Sequence, residues 1–82
     1  MPVEKNEKHD NEVLKQLGER IVELRKDKGL KQIELAVKLG IEDSALRRIE
    51  SGRTNPTTKT LLSIARELDV TIIDLFSFIE NK

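Results

Sequence analysis

Two arginines, Arg47 and Arg48, follow Asp43 and Ser44 at a spacing of four, inside the stretch KQIELAVKLGIEDSALRRIESGR that runs from residue 31 to 53. A guanidinium can donate two parallel hydrogen bonds to O6 and N7 of guanine, a contact worth about 1 to 3 kcal/mol of discrimination between bases. Adjacent residues lie about 100° apart on a helix, so one arginine is expected to meet base edges while the other holds a phosphate. Arg48 is favoured for the bases. For the acidic pair Glu42 and Asp43 two readings can hold together. One of the carboxylates can cap a helix and favour its positive end, or Asp43 can accept a hydrogen bond from cytosine N4. Both carboxylates would also repel nearby phosphates. Gln32, at the start of a preceding helix, can join the backbone N–H groups there in holding a phosphate oxygen.

Such groups act only when rigid elements present them together. Leu35, Ala36 and Leu39 form the apolar stripe of a short helix from about Lys31 to Leu39. Gly40 breaks it, and Ile41, Leu46 and Ile49 carry the stripe into a second helix from about Asp43 to Ser51, closed by Gly52. Two short helices with a small residue at the crossing and a glycine between them are a helix-turn-helix, over about residues 31–51. Upstream, Leu14, Leu17, Ile21 and Leu24 predict an amphipathic helix from about Asn11 to Lys28, ending at Gly29 with Arg25, Lys26 and Lys28 in its last turn. Downstream, Thr54 to Thr57 form a loop, and Thr57 or Thr58 caps a fourth helix carrying Leu61, Leu62, Ile64, Ala65 and Leu68. Thr71 caps a fifth helix, about residues 71–80, whose apolar content is Ile72, Ile73, Leu75, Phe76, Phe78 and Ile79. Residues 1–10 are charged, contain Pro2 and are nearly without apolar side chains, so they are expected to be a flexible tail. The expectation is an all-α domain of five helices over residues 11–82.

Composition removes other classes of function. A chain of 82 residues is one domain, burying only about 60% of its unfolded surface. The absence of cysteine rules out a disulfide framework, a thiolate metal site and a thiol nucleophile, and suits a reducing cytoplasm. The N-terminus MPVEKNEKHD lacks the apolar centre of a signal peptide, and no run approaches a membrane span. A cytoplasmic protein, nucleoid-associated when bound to DNA, is expected. Fifteen basic and fifteen acidic residues cancel, although residues 19–53 hold nine basic against seven acidic. Association through charge alone should be weak, so strong DNA binding must come from shape, phosphate hydrogen bonds and base contacts. His9 is the only histidine and lies in the expected tail, so a metal or catalytic role is not expected. Glu19, Glu23 and Asp27 recur at spacing four, but interleaved Arg20 and Lys26 make a solvated mixed face. Ser44 and Ser63 have no histidine near them, and no glycine-rich phosphate loop occurs. The reading is a non-enzyme with no cofactor, metal or small-molecule substrate.

At this point the chain resembles the Cro/repressor-type (Xre-type) helix-turn-helix regulators over about residues 17–76. LGERIVELRKDKGLKQIELAVKLGI, LRRIESGRTNP, TLLSIARELDV and TIIDLF stand in that family's order and spacing. The resemblance implies a compact five-helix lambda-repressor-like DNA-binding domain. It also implies base contacts at Asp43, Ser44 and Arg48, with Arg47 nearby, and phosphate contacts at Gln32, Ser51, Arg53 and Asn55. The family often has a small polar residue where Glu42 and Asp43 stand, which bears on site specificity. A buried or half-buried ion pair between the first and third helices recurs in the family and is expected here between Arg25 and Glu50, where it would neutralise a carboxylate close to phosphates.

Ile73, Phe76, Phe78 and Ile79 either fold back as a satellite core or form the interface of a homodimer. The dimer is preferred, since two recognition helices could then read half-sites about 34 Å apart. The leading function is a sequence-specific regulator of transcription on double-stranded DNA, of repressor or controller type. The alternatives are a protein-interaction adaptor, or an antitoxin that orders on a protein partner.

Overall fold

A computed structural model describes residues 7–78. The chain forms α1 (Glu7–Asp27), α2 (Gln32–Leu39), α3 (Asp43–Glu50), α4 (Thr58–Glu67) and α5 (Ile72–Leu75), with no strand among the described residues. The boundaries of α2 and α3 fall within a residue of those expected, which is as fine as helix ends are defined.

Two boundaries differ by more. The first helix begins at Glu7, so residues 7–10 of the expected tail, His9 included, are helical. Glu7 and Asp10 occupy its first turn, where negative charge is favoured. Residues 7–12 are exposed. No packing is needed there, because extending a helix from a packed segment avoids the cost of nucleation. Residues 1–6 and 79–82, and with them Ile79, lie outside the described residues. The fifth helix ends at Leu75 and gives way to a turn through Phe78 instead of continuing towards residue 80.

Apolar side chains from all five helices meet in one core. Leu17 and Ile21 come from α1, Leu35 and Ala36 from α2, and Leu46 and Ile49 from α3; Leu61, Ile64 and Ala65 of α4, Leu68 just after it, and Leu75 of α5 complete it. Leu24, Leu30, Leu39, Ile41, Val70, Ile72, Phe76 and Phe78 pack partly buried around this centre. Leu62, expected in the α4 stripe, is half exposed.

Helices α1 and α3 touch backbone to backbone. A Cβ built on Gly18 would stand 2.3 Å from the Glu50 carbonyl oxygen and 2.7 Å from that of Ile49. One on Gly52 would stand 2.6 Å from Lys15 Cα, and Gly52 also has a φ of +76°. Side chains at either position would push α1 off the end of α3.

Four helices close in the same way. Two or three residues beyond each end, an N–H donates five residues back: Leu30 to Arg25 O (3.1 Å), Ile41 to Ala36 O (3.1 Å), Arg53 to Arg48 O (2.9 Å) and Val70 to Ala65 O (2.9 Å). Leu30, Ile41 and Val70 then fold against the core, the usual companion of this ending. Arg53 is exposed. At the end of α3 alone, a cation stands where the other three helices place an apolar anchor.

Candidate nucleic-acid interface

Helix α3 is held from behind by a buried carboxylate. Arg25 donates from Nε to Glu50 Oε2 at 2.8 Å and from Nη2 to Oε1 at 3.2 Å, while its Nη1 donates to the Leu30 carbonyl at 2.8 Å. Arg25 and Glu50 are each 8% exposed, so the expected pair between the first and third helices is present and buried. Gln32 Nε2 adds a third bond to Glu50, at 2.7 Å to Oε1. One carboxylate, through Arg25 and Gln32, thus joins α1, the α1–α2 loop, the start of α2 and the end of α3. Breaking such a network from one side leaves an uncompensated buried charge.

With Leu46, Ile49 and Glu50 facing inward, the remaining α3 positions point away from the core. At about 100° per residue, Asp43, Arg47, Ser51, Ser44 and Arg48 share one outward arc of about 140°. Arg47 and Arg48 are exposed on it, while Asp43 and Ser44 are half-buried. Ser51 Oγ donates to the Arg48 carbonyl at 3.1 Å and accepts from Arg53 Nε at 3.1 Å, so the serine fixes the Arg53 side chain. Asn55 is exposed. It shares with Arg48, Thr54, Thr57 and Thr60 the rim of a shallow depression of about 240 Å³ beside the start of α4. That start is capped by Thr57, whose Oγ1 accepts from Thr60 N at 3.1 Å.

The carboxylates at the start of α3 do not cap it. Glu42 holds the capping position with extended backbone, φ −72° and ψ 148°, but its side chain makes no cap hydrogen bond. Asp43 Oδ2 accepts instead from Arg47 Nη2 at 2.7 Å, and Asp43 Oδ1 is buried with no hydrogen-bond partner. At the start of α2, Glu34 accepts from the Lys31 N–H at 2.7 Å. The first-turn N–H groups that follow have no helical acceptors. Gln32 is anchored to Glu50 by one amide hydrogen, which leaves its second for another acceptor.

The structure therefore assembles Asp43, Ser44, Arg47, Arg48, Ser51 and Arg53 on one face, brings Asn55 to its rim, and ties Gln32 to it through Glu50. The expected interface residues divide differently. Ile73 is 78% exposed. Phe76 and Phe78 lean on the core, their ring centroids 6.0 Å apart. Arg20, expected on a solvated face, donates from Nε to the Asp74 carbonyl at 3.0 Å and pairs with Glu23, so it ties α1 to α5. Gly18 escaped the sequence reading altogether. Its only signal was a glycine inside an otherwise regular amphipathic helix, which costs about 1 kcal/mol relative to alanine and so points to a close packing partner. Among the described residues no helix is long and apolar enough to cross a membrane.

Comparison with known proteins places this geometry among DNA-binding regulators. The family model described as Helix-turn-helix matches residues 21–75. The chain is 43% identical over 63 residues to the ImmF control region 10 kDa protein of Bacillus phage phi105, covering 74% of this chain and 70% of that protein. It superimposes on the restriction-modification controller protein C.AhdI from Aeromonas hydrophila with a TM-score of 0.74 and 36% identity, over 77% of this chain and 96% of that one. The regulator of biofilm formation SinR, solved in complex with DNA, gives a TM-score of 0.67 and 40% identity over 72% and 95% of the two chains. A SinR/SinI complex gives 0.70 and 34% over 79% and 68%.

Proposed function

Because the chain belongs to the Cro/repressor-type helix-turn-helix family, we propose that it regulates transcription by laying α3 in the major groove of double-stranded DNA as one half of a homodimer. It is a DNA-binding regulator and not an enzyme. Arg48, Ser44, Asp43 and Arg47 take the base edges, and Gln32, Ser51, Arg53 and Asn55 take phosphates. The observation that carries this assignment is the outward arc of α3, rich in donors and held from behind by the Arg25–Glu50–Gln32 network. A recognition helix must be rigid to read a 3 Å hydrogen-bond pattern, and that network, with the Gly18 crossing, supplies the rigidity.

Repressor or controller action is supported by relatives that include a phage control-region protein and a restriction-modification controller. The dimer is supported by Ile73, a large apolar side chain left 78% exposed on α5. Adaptor or antitoxin behaviour draws support from the SinR/SinI complex, in which a relative engages a protein.

Selection of bound sequences from a random duplex library at about 150 mM salt, which suppresses purely electrostatic binding, tests the proposal. The Arg47→Ala, Arg48→Ala double variant serves as control. A palindromic consensus that the double variant fails to enrich is the expected result. Failure of the folded wild-type protein to enrich any sequence would transfer the function to a protein partner.

A further inference from the structure

Asp43 and Arg47 lie one turn apart on the outward arc of α3, joined at 2.7 Å between Oδ2 and Nη2. The other ion pairs among the described residues, Arg20–Glu23, Arg25–Glu50 and Lys28–Asp69, lie off this arc. The Asp43 and Arg47 side chains are 36% and 57% exposed, so an approaching duplex meets them as a pair.

We propose that this pair is a specificity-determining clasp: Asp43 withholds the charge of Arg47 from DNA of arbitrary sequence, and the intact pair is accepted where the groove presents a base amino group such as cytosine N4. The inference rests on the reading of α3 as the recognition helix. A guanidinium bound to a carboxylate carries little net charge towards a phosphate. If Arg47 leaves for a phosphate, Asp43 stays behind as a bare carboxylate beside the duplex, where water is expelled and like charge is close. Its Oδ1 already lies buried without a donor, so Oδ2 is the acceptor through which Asp43 can be compensated. Cytosine N4 donates into the major groove and can take the free lone pair of that oxygen. The clasp then enters the groove intact, and the remaining N–H groups of Arg47 reach guanine O6 and N7 or a phosphate. Where thymine O4 or guanine O6 faces Asp43, acceptor meets acceptor and the contact is repulsive. A chain of zero net charge has no general positive field to override that repulsion.

The test is fluorescence anisotropy with the full chain on two duplexes, one random in sequence and one carrying the selected consensus, from about 50 to 250 mM salt. Asp43→Asn, which keeps the shape and removes the charge, is expected to bind the random duplex about fivefold more tightly at the lowest salt. The slope of log affinity against log salt should steepen by about 0.9, the signature of one more phosphate neutralised. Affinity for the consensus should not rise, so the ratio between the two falls at least as much. In an Arg47→Gln background the same substitution should change the slope by nothing measurable. Asp43→Ser, well suited to a helix start, replaces Asp43→Asn if circular dichroism shows that variant unfolded. An unchanged random-duplex slope in the aspartate variants overturns the clasp and leaves the DNA reading intact. An equal gain in the Arg47→Gln background also overturns it, since bulk charge then explains the effect. Folded wild-type protein that binds neither duplex even at the lowest salt overturns both.

Discussion

The Arg25 guanidinium grips the Glu50 carboxylate by two nitrogens, at 2.8 and 3.2 Å, across the contact between the first and third helices. Both side chains are buried, and a third donor, Gln32 Nε2, reaches the same carboxylate. A carboxylate that would hinder phosphate binding is thereby turned inward and made the pivot on which the recognition helix is set. We predict that Glu50→Ala lowers the unfolding free energy by about 3 kcal/mol, because an arginine is left buried and unpaired. The exposed substitution Lys26→Ala should change it by less than about 0.5 kcal/mol. Urea unfolding of both variants decides the matter, and equal midpoints would show that the pair contributes nothing.

Gly18 and Gly40 should respond to alanine for opposite reasons. Gly18 has an ordinary helical backbone and no space, its virtual Cβ lying 2.3 Å from the Glu50 carbonyl oxygen, whereas Gly40 has open space and a φ of +69°. Gly18→Ala must displace backbone and is expected to cost about 3 kcal/mol, with a matching loss of DNA affinity because α3 tilts. Gly40→Ala carries only the left-handed penalty, about 1 kcal/mol. Thermal melts ranking the two in the reverse order would refute the close crossing.

Asp69 holds a left-handed φ of +63° at the end of α4, the place where the three preceding helices have glycine. Its 3.4 Å contact with Lys28 joins two well-exposed side chains and is worth little in water. Asp69→Gly is therefore expected to stabilise the domain by about 0.5 to 1 kcal/mol. A calorimetric melting point that falls would show that the Lys28 contact outweighs the backbone strain.

The Asp74 carboxyl should titrate below the ordinary aspartate range. The Thr71 backbone N–H, 3.0 Å from Oδ2, lowers its pKa most, followed by the Thr71 hydroxyl and the positive charge of Arg20. A folded-state pKa below the unfolded value of about 3.9 means that this group favours folding above that pH. The contribution is lost as pH falls through the lower folded value. Carboxyl-detected NMR titration should show Asp74 protonating below the ordinary aspartate range, and Thr71→Ala, which removes the hydroxyl and keeps the backbone N–H, should move it part of the way back.

Ile73 is the most exposed large apolar side chain among the described residues, at 78%. If α5 lies at a two-fold interface, Ile73→Glu should convert the protein to a monomer in sedimentation equilibrium at about 100 μM and weaken binding to a palindromic site more than to a half-site, since only the former engages both recognition helices. A monomeric wild-type protein at that concentration would remove the dimer from the proposal.

Periodicity and punctuation decided a great deal on their own. The 3.6-residue recurrence of Leu17, Ile21 and Leu24, of Leu35, Ala36 and Leu39, and of Leu61, Ile64, Ala65 and Leu68 specifies helices because each can bury one face. Gly40 and Gly52 end them where only a left-handed residue can turn the chain back. Thr57 and Thr71 cap as their side chains require. The Arg25–Glu50 pair and the arginines of α3 were likewise visible, the former through family resemblance and the latter through chemistry.

What sequence alone left open depended on distances between segments far apart in the chain. Whether Asp43 caps the helix or turns to Arg47 is a competition between acceptor geometries of similar energy, and only the packed start of α3 resolves it in favour of the ion pair. Gln32 carries no mark that its amide belongs first to Glu50, eighteen residues away. Gly18 looks like a flaw in a helix until the Glu50 carbonyl is laid against it. The end of α5 after Leu75, and the return of Phe76 and Phe78 onto the core, follow from the space the other four helices leave. Local propensities choose the elements because they act over a turn or two. The attitude of α3 and the partners of its charges come from backbone contact and buried charge pairing, which exist only once the helices have met.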